Sequence, residues 1–193
     1  MIQNLMSLSR FRAPIILNIA ILSFLMTVIA AKAEAPSKEE QSCHQFVQSF
    51  YDWYAKLARQ ESAESSDTRA LKLKKTSFSA ELAHRLKEDA DASAKVSNEI
   101  VGLDFDPFLN AQDIGERYTV GKVTKKGRNY LAEVYGTWNG KKSVKPDVTP
   151  ELSNQGGHWI FENFHYQHTD IPGNENLLSV LSTLKRDREK NPH

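Results

Sequence analysis

Residues 118–135, YTVGKVTKKGRNYLAEVY, decide the fold. Tyr118, Val120 and Lys122 alternate with Thr119, Gly121 and Val123, and Tyr130, Ala132 and Val134 alternate with Leu131, Glu133 and Tyr135. A period of two marks extended strands, because successive side chains point to opposite faces of a pleat. Lys125, Lys126 and Gly127 between the two runs form a hairpin turn, with glycine supplying the positive φ that such turns need.

Upstream of the hairpin the period is helical. Phe46, Phe50, Trp53, Tyr54 and Leu57 follow the i, i+4, i+7, i+8, i+11 stripe of an amphipathic helix. Gln60 to Thr68 is rich in Glu, Ser and Asp and reads as a mobile loop. Ser79 is an N-cap candidate, Glu81 falls in the first turn, and Leu82, Leu86 and Ala90 line one side, which predicts a second helix over 79–96.

Downstream, Lys142 to Leu152 holds a weaker strand that Pro146 and Pro150 confine to a sheet edge or a bulge. His158 to Gln167 carries Trp159, Phe161, Phe164 and Tyr166, rings that suit a pleated surface. Asn174 and Glu175 open a last helix with Leu177, Leu178, Val180, Leu181 and Leu184 on its buried side and Lys185, Arg186 and Arg188 at its negative end. The expected fold class is α+β: N-terminal helices packed on a curved antiparallel sheet of about four strands, closed by a C-terminal helix.

The first 33 residues have the order of a secretory signal: Arg10 and Arg12, an apolar run from Pro14 to Ala30, then Ala31 and Ala33 around Lys32. Cleavage after Ala33 is the expectation, giving a periplasmic or secreted protein with no membrane span after processing. The rival is an uncleaved anchor, against which Asn18, Ser23 and Thr27 interrupt the run. Residues 34–41 read as a polar tether and 42–190 as a single domain. Lys and Arg number 25 against 24 Asp and Glu, a balance that argues against nucleic acid or an anionic membrane surface as the main partner.

Cys43 stands alone, so no intrachain disulfide can form. It reads as a partly buried residue near a helix start, and the Glu40, Gln41 and Ser42 before it do not suit a lipid-acceptor site.

One further stretch is specific, residues 102–113, GLDFDPFLNAQD. As metal ligands, Asp104, Asp106 and Asp113 are badly spaced: a calcium loop from Asp104 would put Leu109 where glycine belongs and Gly115 where a bidentate glutamate belongs. The better reading is that Asp106 caps a short turn beginning at Pro107, Phe108 and Leu109 plug the core, and Gln112 and Asp113 bond backbone at the start of the sheet. Phe50-Tyr51-Asp52-Trp53-Tyr54, Phe78-Ser79-Ala80-Glu81-Leu82, Asp106-Pro107-Phe108-Leu109-Asn110-Ala111-Gln112-Asp113 and Trp159-Ile160 together resemble the YbjP-like bacterial envelope proteins, a family known only as a domain of unknown function. The resemblance implies a cystatin-like or nuclear transport factor 2-like cone, with helices in the concave side of a bent sheet, and implies no reaction. It departs from lipoprotein relatives in lacking a cysteine at the cleavage site.

The chain shows no nucleophile motif, phosphate loop or cofactor fingerprint, and no histidine at an open zinc-site spacing. His158 and His165 are seven apart, which on a regular strand puts them on opposite faces. The leading expectation is an exported binding or accessory protein of the envelope, acting on a protein partner or on a small molecule in the cone. Its candidate binding residues are Asp104, Asp106, Asn110, Gln112, Asp113, Asp52, Trp53, Tyr54 and Trp159, with no catalytic residue, metal or cofactor assigned. Homodimerisation through the open sheet face is left open. Two alternatives stand beside it: an enzyme using Asp52 or an acid of the 102–113 stretch as general base, and a toxin inhibitor or immunity protein working through the basic hairpin loops. The enzyme alternative requires that Asp52 and Asp113 do not both lie on the outer surface.

Overall fold

The structure, a computed structural model, describes residues 35–96, 101–167 and 175–191, so the expected leader lies outside the described residues. From Ala35 onward the chain forms one compact unit. No helix among the described residues is long and apolar enough to cross a membrane.

Helix α1 spans Lys38–Ala58. It starts inside the stretch expected to be a tether, because Ser37 and Glu40 form a capping box: the Glu40 carboxylate accepts from Ser37 N at 2.7 Å and Ser37 Oγ from Glu40 N at 3.1 Å. The helix buries Cys43, Val47, Phe50, Tyr51, Tyr54, Ala55 and Leu57, whereas Phe46 and Trp53 are only partly covered. The buried face is therefore rotated from the aromatic stripe toward Tyr51. Burial pushes the Cys43 thiol up to about 12, which leaves it inert.

Helix α2, Ser66–Leu73, occupies ground expected to be a loop. Only Ala70 is buried in it, too little to show a period. Its placement comes from Arg69, whose guanidinium donates to the carbonyls of Leu57 at 2.8 Å and Gln60 at 3.2 Å and so closes the C-terminus of α1. A 3-10 turn over Lys75–Ser77 leads to α3, Ala80–Ser93, where Ser79 Oγ accepts from Leu82 N at 3.3 Å as the expected cap. The closing helix α4, Leu177–Lys190, is capped by Asn176, which accepts from Ser179 N at 3.0 Å.

The sheet is antiparallel and contains β1 (Arg117–Lys126), β2 (Asn129–Trp138), β3 (Lys141–Lys142), β4 (Thr149–Gln155) and β5 (His158–His165). Their order is β1-β2-β4-β5, with β3 continuing along β2. The hairpin turn is Gly127-Arg128 rather than Lys125 to Gly127, since Lys126 already pairs with Asn129, and Gly127 has φ 63°. Asn139-Gly140, with φ 50° and 72°, makes a second two-residue turn that creates β3. β4 is internal, so of the two places expected, an edge or a bulge, it is the second that holds: the register shift against β5 follows Pro150 directly, at Glu151/Leu152. Pro150 is tolerated there because β2 pairs with β4 only from Glu151 onward, leaving Pro150 opposite Phe164 of β5 alone.

Two bulges set which residues face inward. In β1 an extra residue between Val120 and Val123 keeps Tyr118, Val120 and Val123 buried and turns Lys122 out, against the simple alternation. In β5 Leu152 faces Phe161 and Glu151 faces Asn163, so Glu162 is the extra residue. Trp159, Phe161, Phe164 and Tyr166 are therefore all buried. The same bulge brings His158 and His165 to one face, correcting the expectation of opposite faces.

Helices and sheet meet in a cluster of phenylalanines. Phe50 of α1 lies 4.7 Å from Phe161 and 6.0 Å from Phe108, Phe108 lies 4.7 Å from Phe164 and 5.2 Å from Phe78, and Phe161 and Phe164 stack at 5.3 Å, all between ring centroids. Such pairs add about 0.5–1.5 kcal/mol each beyond area burial. Trp53 and Trp159 do not meet. Trp159 donates to Ser42 Oγ at 3.0 Å, and Trp53 lies eleven residues further along α1, about 16 Å away by helical rise. Phe161→Ala is expected to lower the unfolding free energy by about 4 kcal/mol and Trp53→Ala by about 2 kcal/mol or less, as read from urea denaturation midpoints.

Candidate functional site

Asp106 is the centre of the 102–113 stretch. Its Oδ1 accepts from Phe108 N at 3.0 Å and Leu109 N at 3.2 Å, which is the expected cap of a short turn. Its Oδ2 accepts from Tyr54 Oη and Ser66 Oγ, each at 2.7 Å, so the same carboxylate ties the loop to α1 and α2. Asp106 N bonds Ala111 O at 2.9 Å and closes the loop on itself. Asn110, with φ 52°, sends its amide to Asp147 O at 3.0 Å and so holds the loop to the segment before β4. Phe108 and Leu109 are fully buried beneath, as expected.

Two more tyrosines grip the loop backbone. Tyr166 Oη donates to Pro107 O at 2.9 Å and Tyr51 Oη to Phe108 O at 2.8 Å. Burial raises Tyr51, Tyr54 and Tyr166 well above the ordinary phenol value, with the Asp106 charge adding to each, so all three remain neutral donors.

The other candidates lie apart from this node. Asp104 and Gln112 are exposed at the rim, joined by a long contact of 3.4 Å from Gln112 Nε2 to Asp104 O. Asp113 is exposed and its side chain makes no hydrogen bond to the described residues, so the backbone bond expected of it is absent, and the one Gln112 makes goes to Asp104 rather than to the start of the sheet. Asp52 is exposed and accepts from Gln48 Nε2 at 2.9 Å. Asp52 and Asp113 thus both lie on the outer surface, whereas Asp106 is half-buried. Trp53 lies under Lys74 Nζ, 5.2 Å from the ring centroid, and Trp159 stands edge-on to Tyr130 at 4.9 Å.

The aromatic set fills its space: Tyr54 and Phe161 are fully buried, Trp159 and Tyr166 nearly so. The open volume lies elsewhere, in a groove of about 1020 Å³ between the start of α2, the second half of α3 and the 103–114 segment. Leu86, Leu103, Phe105 and Ile114 contribute an apolar lining, and Glu64, Asp67, Asp89, Asp91, Asp104 and Asp106 an acidic one. No lysine or arginine is among the described residues that line it.

Some of these acids are compensated from outside the groove. Arg188 of α4 donates to Asp89 at 2.6 Å and to Val101 O at 2.8 Å, while Asp89 also accepts from Leu103 N at 2.9 Å. Lys87 pairs with Asp91 at 2.6 Å, and Lys72 pairs with Glu64. Asp67 has no such cation among the described residues: burial raises its pKa, hydrogen bonds from Ser65 and the Thr68 backbone offset this in part, and the Asp89 charge adds a smaller rise. Burial likewise raises Asp106, partly offset by the hydroxyls of Ser66 and Tyr54.

Ser66, Asp67 and Asp89 were not among the sequence-based candidates. Asp89 had a signal, since with Leu82 and Leu86 it completes the i, i+4, i+7 buried side of α3. Ser66 and Asp67 had none, because α2 itself was read as a loop. Comparison with protein-family models, curated proteins and solved structures finds no match, so the residues alone carry the functional argument.

Asp106→Ala strands four donors and is expected to cost about 3 kcal/mol in urea unfolding. Asp106→Asn keeps the oxygen that caps the turn and faces two hydroxyls able to reverse roles, so a cost within about 1 kcal/mol is expected. Asp113→Ala should change stability by no more than about 0.5 kcal/mol. Because the folded-state pKa of Asp106 is raised, its contribution is full below its unfolded value of about 4 and is lost as pH rises through the folded value. Asp106→Asn should flatten that part of the stability profile, measured as melting temperature between about pH 3 and 7.

Proposed function

We propose that this chain is a non-catalytic binding protein of the bacterial envelope whose groove beside the 102–113 loop holds a basic, partly apolar segment of a protein partner. The observation that carries the reading is the contrast between a filled aromatic interior and an open groove with acidic walls and an apolar lining. A small molecule in the centre of the fold would have to displace rings packed at 4.7–6.0 Å from one another. A peptide segment lying in the groove displaces only water and brings cations to carboxylates that have none close by. The leader-like N-terminus and the likeness of the DPFLNAQD run to the YbjP-like family supply the compartment in this proposal; the groove supplies the activity.

Affinity capture from envelope extract with the mature chain tests it against an Asp67→Asn/Asp104→Asn variant, which removes two groove carboxylates that have no ion-pair partner among the described residues. The expected result is a basic partner retained by the parent, released by raised salt, and bound about tenfold more weakly by the variant, a loss of about 1.4 kcal/mol. Equal recovery by parent and variant, or recovery insensitive to salt, would overturn the groove as the working surface.

A further inference from the structure

Two turns of the sheet and the start of α1 meet at one end of the fold. Asn129, directly after the first turn, pairs with Ser153, and Gly156-Gly157 then joins β4 to β5, so both turns project from the same end. Trp159, two residues past the second turn, donates to Ser42 Oγ at 3.0 Å, which brings the first turns of α1 there too. Further along α1, His44 lies 3.2 Å from Val120 O and Gln48 bonds Tyr118 O and Val120 N, so the helix runs along the edge of β1 toward its start. At the opposite end Arg59 donates to Gly115 O and Glu116 O, and Tyr54 meets Asp106 beside the groove.

Charge divides along the same axis. The two turns, TKKGRN over 124–129 and NQGGH over 154–158, hold Lys125, Lys126, Arg128 and His158 and no acid. All four are exposed, as are Lys122 behind the first turn and Lys38 at the start of α1. None of these five Lys and Arg residues forms an ion pair among the described residues. Of the acids toward this end, Glu40 is engaged by Ser37, Glu151 by Asn129 and His165, and Glu162 by Ser153, which leaves Glu39. The chain-wide balance of 25 basic against 24 acidic residues therefore conceals a local excess. The other basic loop, with Lys141, Lys142 and Lys145, lies at the groove end and has carboxylates built into it: Glu116 accepts from Gly140 N, and Asp147 from Ser143 Oγ.

The chain enters the fold at the basic end. Only residues 31–36 separate the apolar run Pro14 to Ala30 from the Ser37 cap, and six extended residues span about 20 Å. A membrane holding that run would have the two turns within reach of its headgroups. We propose that this end of the fold docks on the anionic phospholipid headgroups of that membrane, which presents the acidic groove on the side away from it. The proposal stands on the turns and not on what the groove binds. The turns carry no large apolar side chain, so the contact is electrostatic and shallow, and it weakens with salt.

Cosedimentation of the mature chain with vesicles of phosphatidylglycerol and phosphatidylcholine in equal parts tests it, with vesicles of phosphatidylcholine alone as the uncharged comparison. The parent is expected to bind the anionic vesicles at low salt, to be released as salt rises, and not to bind the uncharged ones. Lys125→Gln/Lys126→Gln/Arg128→Gln should bind about tenfold more weakly or worse at an unchanged melting temperature. Lys141→Gln/Lys142→Gln/Lys145→Gln removes the same charge from the opposite end and should bind within about twofold of the parent. Should the first variant melt early, Arg128→Gln alone decides, with a loss of about threefold or more, because Gly127 and not Arg128 supplies the positive φ of the turn. Failure of the parent to bind either vesicle, equal binding to both, or an equal loss in the two triple variants would overturn the proposal.

Discussion

Three tyrosine hydroxyls holding three successive residues are the constraint on which the rest depends. Tyr54, Tyr166 and Tyr51 reach Asp106, Pro107 and Phe108 in turn. Each hydroxyl is buried, so each needs a partner, and each partner is a loop oxygen that also needs a donor. Mutual satisfaction fixes the loop to α1 at two points and to the end of β5 at a third. With the loop so placed, Phe108 can stand only between Phe78 and Phe164, and the helices acquire a single distance from the sheet. A polar lock therefore sets the register of an apolar core that by itself would tolerate several packings.

Much of this fold was legible in the residues. The hairpin, the Ser79 cap, the ring-bearing last strand and the turn at Asp106 all follow from local chemistry that later packing does not oppose. Two of the failures share one cause, which is that one inserted residue reverses a two-residue period. Neither bulge leaves a mark as plain as a proline, so Lys122 seemed to share a face with Val120 and His165 seemed to oppose His158. Helix α2 was hidden for a different reason. Eight residues with one buried side chain hold no periodic signal, and its position is fixed by Arg69 reaching the end of α1, a tertiary contact that no local pattern encodes.

The candidate site was legible by half. Asp106 and Asn110 were found because a rare mixture of acid, amide, proline and aromatic residues drew notice to them. Asp104 and Gln112 came along and lie at the groove rim. Asp52, Trp53 and Trp159 do not come together: Asp52 is exposed, Trp53 is only partly covered and Trp159 is buried against Tyr130. The partners that make the groove acidic, Asp67 and Asp89, come from two helices that the loop ties together, α2 through Ser66 to Asp106 and α3 through Asp89 to Leu103 N, contacts that neither sequence segment encodes.

Why the groove stands open follows from how α1 is used. One side of that helix packs on the phenylalanines, another covers the edge of β1, its end is closed by Arg69, and its remaining face, with Gln45, Ser49, Asp52 and Lys56, is exposed instead of covering α3. Short α2 cannot do so either. The result is a concavity whose acids sit partly out of water, and Asp67 there has its pKa raised by burial without a cation to offset it. Hydrogen bonds from Ser65 and from the Thr68 backbone at the first turn of α2 offset that burial only in part. In a groove lined with apolar side chains and free of lysine and arginine among the described residues, such a carboxylate suits the positive charge that the proposed partner would bring.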